Sequence, residues 1–399
     1  MSKEPAKTVY DELIVSPRVL LGPGPSEANA RVLKAMTTPM LGYLDTEFVQ
    51  VMDDTVGLLR RVFGTENRLT LPVSGTGTAG MEAALANVVE PGDGVVVGVK
   101  GYFGERIADI AARCGGVVTR VEAEWGTHIP AEKIAEAVAK VSTPKLVALV
   151  HGETSTGILQ PLKDAVEIAH QSGALFLADC VTSLGGQPVD IDALGIDIAY
   201  SCTQKCLAGP PGLSPISFSD RAVEVIRNRK TPIQSFYLDM TLLENYWHGE
   251  QRSYHHTVSI SLIYALREAL RVVLEEGLDA RYKRHVHNAR ALLAGAKAIG
   301  LQPAAEEGYR APMLTTLSIP DGIDDVTIRK RLISDYGIEI GAGLGVFAGK
   351  AWRIGLMGES SNERNVMLVL SALEKLLIEW GHNVERGVAV HAAAQVYSG

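Results

Sequence analysis

Between Leu20 and Phe218 the chain alternates short apolar runs with amphipathic stretches. The runs Gly94–Val99 and Ala174–Asp179 have the length and the apolar content of buried strands. Strands that alternate with helices form βαβ units, so the pattern predicts an α/β fold with a mainly parallel sheet. The stretches with helical character are 78–89, 103–113 and 162–172.

A second α/β pattern follows a long helical segment. Ser259–Glu276 carries apolar residues at helical spacing and is long enough to bridge two domains. A chain of 399 residues also exceeds the size of most single cores. We therefore predict an N-terminal extension (1–19), a large domain (20–258), an interdomain helix (259–281), a small C-terminal domain (282–381) and a tail (382–399) that packs on the surface or is loosely ordered.

Composition narrows the class of protein. The chain has 46% hydrophobic and 21% charged residues, as ordinary globular proteins do, and a net charge of -8. That charge argues against nucleic-acid binding, and no apolar run is long enough to span a bilayer. The N-terminus lacks the apolar core of a signal peptide, and four cysteines are few for so long a chain. We expect a cytoplasmic protein without nucleic-acid or membrane partners.

Two polar residues close neighbouring strand-like runs. Asp179 ends the run that starts at Ala174, and Lys205 follows the run that starts at Asp197. Because the carboxyl ends of parallel strands meet at one crevice, both side chains are expected there. An aspartate and a lysine in a cleft form either an internal salt bridge or the pair that holds pyridoxal phosphate. The two residues alone leave both interpretations open.

The segment Ser74–Gly80 follows a strand-like run and opens a helix. Its glycines and threonines are suited to bind an anion at a helix N-terminus, which favours a site for one phosphate. The alternatives are a tight turn with a threonine cap, or a dinucleotide site, since Gly75, Gly77 and Gly80 match G-x-G-x-x-G. A lone match to that motif is weak evidence.

Further residues at predicted strand ends are candidates for the same crevice. Thr154 has a hydroxyl placed to meet a cofactor oxygen, and the Phe103 ring is placed to stack on a planar heterocycle. Arg353 lies in an apolar strand and is suited to bind a carboxylate, unless it forms an ion pair between domains. Cys202 and Cys206 flank Lys205 without the further ligands that a zinc site needs, so we interpret them as packed thiols.

Together these motifs resemble the class V aminotransferase family of fold-type I pyridoxal-phosphate enzymes, and most closely its alanine–glyoxylate and serine–glyoxylate (serine–pyruvate) branch. The resemblance covers about Leu20 to Leu377. It implies a large domain with a mainly parallel seven-stranded sheet and a smaller C-terminal α/β domain. The motifs that carry it are Leu20–Ser26, Ser74–Gly77, His151–Gly157, Ser183–Gly186, Gln204–Lys205, Tyr254–Thr257 and Arg353–Gly355.

The resemblance also implies roles for individual residues. Lys205 would hold the cofactor as an internal aldimine and move the proton, and Asp179 would keep the pyridine nitrogen protonated. Arg353 would bind the substrate carboxylate, next to Gly24 of the Gly22–Pro25 loop and to Tyr43. The remaining cofactor contacts would be Thr76, Gly77, Thr78 and Gln204 at the phosphate, Phe103 and Val181 on the ring faces, Thr154 at the ring oxygen, and Tyr254 and Thr257 on the phosphate of the neighbouring subunit's cofactor.

The implied activity is ping-pong transamination between alanine or serine and glyoxylate or pyruvate, in a homodimer with shared sites. The animal enzymes of this branch carry tryptophan in place of Phe103 and histidine in place of Thr78. A pyridoxal-dependent lyase is an alternative on the same fold. Cysteine desulfurase is disfavoured because no cysteine follows Cys206. An NAD-dependent oxidoreductase would leave Asp179, Lys205 and Arg353 without roles.

Overall fold

The computed structural model describes residues 12–399, so the predicted N-terminal extension lies outside the described residues as far as residue 11. The strands are β1 (Val19–Leu20), β2 (Leu69–Ser74), β3 (Gly94–Val99), β4 (Val117–Glu122), β5 (Pro144–Val150), β6 (Gly152–Glu153), β7 (Ile158–Leu159), β8 (Leu175–Asp179), β9 (Ile198–Tyr200), β10 (Leu213–Phe218), β11 (Leu314–Ser318), β12 (Ile338–Glu339), β13 (Gly341–Ala342) and β14 (Ala351–Gly355).

The helices connect these strands. They are α1 (Ala30–Ala35), α2 (Thr46–Phe63), α3 (Gly77–Val88), α4 (Tyr102–Arg113), α5 (Ala131–Val138), α6 (Lys163–Gln171), α7 (Ile191–Leu194), α8 (Asp220–Arg227), α9 (Met240–His248), α10 (Ile260–Glu276), α11 (Leu278–Ala298), α12 (Asp325–Tyr336), α13 (Glu363–Glu379) and α14 (Val388–Ser398). In residues 12–399 no helix is both long and apolar enough to cross a membrane.

The central sheet of the described chain has seven strands in the order β2-β10-β9-β8-β5-β3-β4. β10 runs antiparallel to both of its neighbours, and the pairs from β9 to β4 are parallel. Every residue of β3 and of β8 is buried, as expected for strands covered on both faces by helices. The prediction of an α/β fold with a mainly parallel seven-stranded sheet is confirmed.

A second unit packs helices against a small antiparallel sheet. Its strands have the order β11-β14-β13, and its core includes Leu292, Trp352 and Leu373, all fully buried. β1 pairs in parallel with β12, and Leu21 belongs to the same core. The predicted large domain starts at residue 20, whereas in the structure Leu20 and Leu21 pack with the second unit.

The link between the units and the end of the chain also differ from the pattern in the sequence. The predicted interdomain segment 259–281 is not one helix, because Gly277, at φ 85°, ends α10 and α11 starts at the next residue. The tail contains α14, whose residues Ala389 and Ala393 are fully buried in the second core. The tail is therefore an integral part of the second unit.

Candidate active site

The candidate site lies at the carboxyl edge of the central sheet. β8 and β9 are parallel neighbours, and Asp179 pairs with Tyr200 at their ends. Beyond this edge is a cavity lined by eight of the predicted site residues together with Met81 and Arg106. The eight are Thr76, Gly77, Thr78, Phe103, Asp179, Val181, Gln204 and Lys205. The structure therefore brings together in one chain most of the residues that the sequence predicted to share a site.

Asp179 is 2% exposed and is held by two hydrogen bonds. The Tyr200 hydroxyl donates to Oδ2 at 2.7 Å, and the Val181 amide donates to Oδ1 at 2.9 Å. Burial raises the pKa of Asp179 to about 6, against the effect of both hydrogen bonds. The carboxylate is thus fixed in position, and its pKa lies close to neutral pH.

Lys205 enters the cavity from the loop after β9 and is 9% exposed. Its Nζ donates to the Pro23 carbonyl, and within residues 12–399 it forms no ion pair with Asp179. Burial lowers the pKa of Lys205, and the positive charge of Arg353 lowers it further. A lysine with a lowered pKa is the form that can act as a nucleophile and as a base. The salt bridge that the sequence left open is not formed.

The loop Gly22–Pro25 contacts the Lys205 side chain at Gly24, and this position requires a glycine. Its φ is 116°, and a Cβ added at this position would lie 2.7 Å from Lys205 Nζ. A side chain here would be strained and would displace the lysine. The structure thus places Gly24 beside the lysine amine, where the resemblance predicted a substrate contact.

The N-terminus of α3 is suited to bind an anion. Thr76 is the N-cap residue, and its side chain makes no capping hydrogen bond, which leaves the first amides of the helix available. Gly77 is closely packed, since an added Cβ would lie 2.9 Å from Val181 Cγ2. The buried Gln204 Oε1 has no hydrogen-bond partner in residues 12–399.

Arg106 is a residue of this cavity that the sequence analysis missed. Its Nη1 donates to the Thr78 hydroxyl at 3.0 Å, and its guanidinium lies 5.1 Å from the centre of the Phe103 ring. Arg106 follows Phe103 by three positions on α4, so both project from one face of the helix. That spacing, after an aromatic residue already assigned to the site, was the available signal. Its charge adds a cation to the anion site.

Thr154 and Arg353 meet at the boundary of the two units. Arg353 is 7% exposed, and its Nε donates to the Ala342 carbonyl at 2.7 Å. Its Nη1 donates to the Thr154 carbonyl at 3.1 Å. The Thr154 hydroxyl shares a 2.8 Å hydrogen bond with the Thr182 hydroxyl, a residue that the sequence analysis did not select. Among residues 12–399 Arg353 has no carboxylate in ion-pair contact, so the domain-domain ion pair is not formed.

Lys100 is a buried lysine near the site that the sequence analysis also missed. Lys100 is 1% exposed and donates to the Val150 carbonyl at 2.6 Å. Burial lowers the pKa of Lys100 to about 8, although the negative charges of Glu153 and Asp179 oppose this shift. A lysine directly after the apolar run Gly94–Val99 was the signal, because an unpaired charge is rarely buried.

Tyr43, Tyr254 and Thr257 are predicted site residues that do not line this cavity. Tyr254 is 56% exposed and Thr257 is also exposed, with their hydroxyl oxygens 3.4 Å apart. The Tyr43 ring lies 4.8 Å from the Tyr254 ring, so these residues form a separate aromatic cluster. The structure of one chain does not bring them to its own cofactor cavity.

The arrangement fits pyridoxal phosphate. The free amides at the N-terminus of α3 and the positive charge of Arg106 suit a phosphate. The Asp179 carboxylate suits a protonated pyridine nitrogen, and Lys205 lines the same cavity. The cavity wall therefore carries the groups that the cofactor needs. The groups for its phosphate are at one part of the wall, and those for its pyridine ring are at another.

Comparison with known proteins identifies relatives along most of the chain. The family model for class V aminotransferases matches residues 20–357. Alanine–glyoxylate aminotransferase of Callithrix jacchus is 43% identical over 94% of this chain and 91% of its own.

Two solved structures share the fold closely. Ureidoglycine–glyoxylate aminotransferase from Bacillus subtilis has a TM-score of 0.95 at 44% identity, covering 98% of this chain and 100% of its own. Alanine–glyoxylate aminotransferase from Nostoc sp. has a TM-score of 0.91 at 48% identity, covering 94% of this chain and 100% of its own. The chain belongs to the class V aminotransferase family and is a pyridoxal-phosphate-dependent aminotransferase.

Proposed function

We propose that this aminotransferase moves the amino group of a small amino acid, alanine or serine, to a small 2-oxo acid, with glyoxylate preferred to pyruvate. The observation that carries the proposal is Arg353, a buried guanidinium bonded to two backbone carbonyls and to no carboxylate in residues 12–399. Such a group is suited to bind a carboxylate, which both substrates carry. Relatives whose names include glyoxylate support the choice of acceptor.

The bound cofactor supplies an electron sink for the carbanion at the substrate α-carbon. The protein supplies the other elements of the reaction. Lys205 Nζ, with its lowered pKa, would accept and return the proton at the α-carbon. Asp179, fixed by Tyr200 and Val181, would hold the pyridine nitrogen protonated. Arg353 would orient the substrate through its carboxylate, and Phe103 and Val181 would keep the ring in a fixed plane.

A second donor is supported by one observation. The Bacillus subtilis relative, which matches 97% of this chain at 43% identity, is named (S)-ureidoglycine–glyoxylate transaminase. (S)-Ureidoglycine is therefore a candidate donor, with glyoxylate as the shared acceptor. The family match favours transamination over the lyase and the NAD-dependent oxidoreductase that the sequence left as alternatives.

The test is spectroscopic, with purified protein loaded with cofactor. Lys205→Ala is expected to abolish the visible absorbance of the wild-type cofactor complex and the activity. Alanine, serine and (S)-ureidoglycine are then added singly, and the true donor should bleach the band until glyoxylate or pyruvate restores it. Failure of the wild-type protein to bind pyridoxal phosphate after reconstitution would contradict the proposal, as would bleaching that no 2-oxo acid reverses.

We also propose a homodimer whose sites are shared between subunits. Its support is the exposure of Tyr254 and Thr257 outside the cavity of their own chain, together with the roles that the family resemblance implies for them. Mixing the Lys205→Ala protein with a Tyr254→Ala, Thr257→Ala protein should restore activity above either parent after subunit exchange. A monomeric mass by light scattering, or no gain on mixing, would contradict shared sites.

The compartment proposed is the cytoplasm. All four cysteines are buried and free of disulfides, which is consistent with a reducing environment. Fractionation of the source cells with an antibody against this chain would test the proposal, and recovery outside the cytoplasmic fraction would contradict it.

A further inference from the structure

A second cavity lies on the second unit, apart from the cofactor cavity. It has a volume of about 190 Å³ and lies between α11, β11 and the loop 303–312, with Gly157 closing one side. Its walls are tied together by backbone hydrogen bonds, since the Ala311 amide donates to the Gly157 carbonyl at 2.8 Å. None of the residues that line the cofactor cavity lines this one.

The walls are mostly apolar. Val286 and Leu293 contribute from α11, Pro303 and Pro312 from the loop, and Leu314 from β11. An apolar cavity of about 150 Å³ is large enough to bind benzene in another protein, so this cavity has room for one ring or a branched chain of similar size. Most cofactors and drug-sized ligands need a larger volume.

Four polar side chains interrupt the apolar lining, those of Arg290, Arg310, Thr315 and Thr316. The Thr316 hydroxyl belongs to a residue that is 1% exposed, and it has no hydrogen-bond partner in residues 12–399. Arg290 and Arg310 add two guanidinium groups. Arg290 is exposed and makes no ion pair within the described part of the chain. Arg310 donates from Nε to the Ala305 carbonyl at 3.0 Å and pairs with the exposed Glu307 at 3.6 Å.

A buried hydroxyl without a hydrogen-bond partner lowers the stability of the folded protein. An ordered water can act as that partner only where it has two to four polar partners itself. Beside Thr316, the polar side chains of the walls are the two arginines and Thr315. An anion with an apolar body would bind the two guanidinium groups and the hydroxyl while it fills the apolar space. A neutral apolar molecule would leave the Thr316 hydroxyl without a partner.

We propose that this cavity is a binding site for a small carboxylate with a single apolar ring or a branched chain, of about the size of benzoate. The carboxylate faces Arg290, Arg310 and the Thr316 hydroxyl, and the apolar part lies against α11 and the loop 303–312. The site does not depend on the proposed choice of substrates, because it involves none of the residues assigned to transamination.

Benzoate is the probe, titrated by calorimetry into cofactor-loaded protein. A dissociation constant of about 1 mM or tighter is expected for so small a ligand. Ala289→Phe, which places a ring in the cavity, should weaken binding at least tenfold. Ala298→Phe is the matched control on the exposed end of α11, and it should leave binding unchanged. Retained visible absorbance of both variants shows that they are folded.

Two further variants test whether this site is distinct from the active site and whether the positive charge of Arg290 contributes to binding. Arg353→Gln removes the active-site guanidinium and should leave benzoate binding within about twofold, since the cavity is separate. Arg290→Gln should weaken benzoate about fivefold or more and leave the neutral benzyl alcohol unchanged. Loss of binding in Arg353→Gln, equal affinity in Ala289→Phe, an equal effect of Arg290→Gln on both probes, or no binding to the wild-type protein would each overturn the proposal.

Discussion

The Asp179 carboxylate illustrates how burial changes the chemistry of a single residue. Its pKa moves from 3.8 to about 6, so between these pH values the folded protein binds a proton that the unfolded chain has released. Stability then falls as pH rises through this range, because the unfolded state is the one with fewer bound protons. Below pH 4 both states are protonated and the effect vanishes.

We predict that Asp179→Asn removes this dependence in the cofactor-free protein. Between pH 4 and pH 7, the free energy of unfolding of the wild type should fall by about 3 kcal/mol relative to that of the variant. Urea denaturation at several pH values measures it. A difference that stays constant over this range would show that Asp179 has an ordinary pKa.

Arg106 should contribute to retention of the cofactor. A hydrogen bond to a charged group contributes about 1.5–3 kcal/mol, so Arg106→Gln is expected to raise the dissociation constant of pyridoxal phosphate about tenfold or more. Equilibrium dialysis followed by visible absorbance measures the change. Arg113→Gln is the matched control on α4, because its side chain is 74% exposed and pairs only with Asp109 in the described residues. Equal affinity in both variants would exclude Arg106 from the phosphate site.

Individual residues also show where sequence reasoning succeeds and where it stops. Asp179, Lys205 and Phe103 were predictable because each lies at the end of a recognisable strand or within five residues after it. Arg106 was not, since an arginine on an amphipathic helix has the pattern of a solvent-facing residue. The Thr154–Thr182 contact joins positions that local pattern cannot pair.

At the scale of elements, α14 depends on a contact from a distant helix. The buried Glu374 of α13 accepts hydrogen bonds from the Gly387 amide at 2.6 Å and the Ala389 amide at 2.8 Å. A carboxylate at this position satisfies free amides and complements the positive end of the helix dipole. The Tyr397 hydroxyl donates to Asn288 at 2.8 Å and fixes the other end of α14.

Glu374→Gln is expected to lower the free energy of unfolding by about 1–2 kcal/mol, because the amide retains only one acceptor oxygen and no charge. Denaturant melts of the cofactor-loaded protein measure the loss. Glu385→Gln, in the loop between α13 and α14 at an exposed position without an ion pair in residues 12–399, should change stability by less than about 0.5 kcal/mol. A similar loss in both variants would mean that the loop, rather than the cap, determines stability.

Strands β3 and β8 and helices α3, α4, α6 and α10 were predictable within a few residues, because their apolar runs or apolar spacing are recognisable in the sequence. α14 was not, since its sequence is rich in alanine and its N-terminus is capped by Glu374 from outside. β1 has two residues, too few for any periodic signal, and is defined by its pairing with β12. Both elements are set by long-range contacts rather than by local pattern.

At the scale of the whole molecule, the site combines groups from both units. Lys205 and Asp179 belong to the edge of the central sheet, and Arg353 belongs to β14. The Thr154 carbonyl connects the two through its hydrogen bond to Arg353. The position of Arg353, the proposed contact of the substrate carboxylate, relative to Lys205 therefore depends on how the units pack.

Arg353→Gln should raise the KM for the amino donor roughly tenfold to a hundredfold, with unchanged visible absorbance of the cofactor, since it removes a charge-assisted contact to the substrate only. Steady-state kinetics with alanine measures the change. Arg364→Gln, an exposed position on α13 with no ion pair among the described residues, is the control and should leave KM unaltered. An unchanged KM in Arg353→Gln would place the carboxylate elsewhere.

The pairing of β1 with β12 also has a consequence for biosynthesis. Val19 lies opposite Ile338, about 320 positions later in the chain, so at synthesis rates of about 5–20 residues per second it waits about 15–60 s for its partner. Through this interval the central sheet can form on the ribosome, while Leu21 has no core to enter. The core of the second unit can be completed only after α14 has left the ribosome. The second unit is therefore the last part of the molecule to assemble, and its core contains residues from near both ends of the described chain.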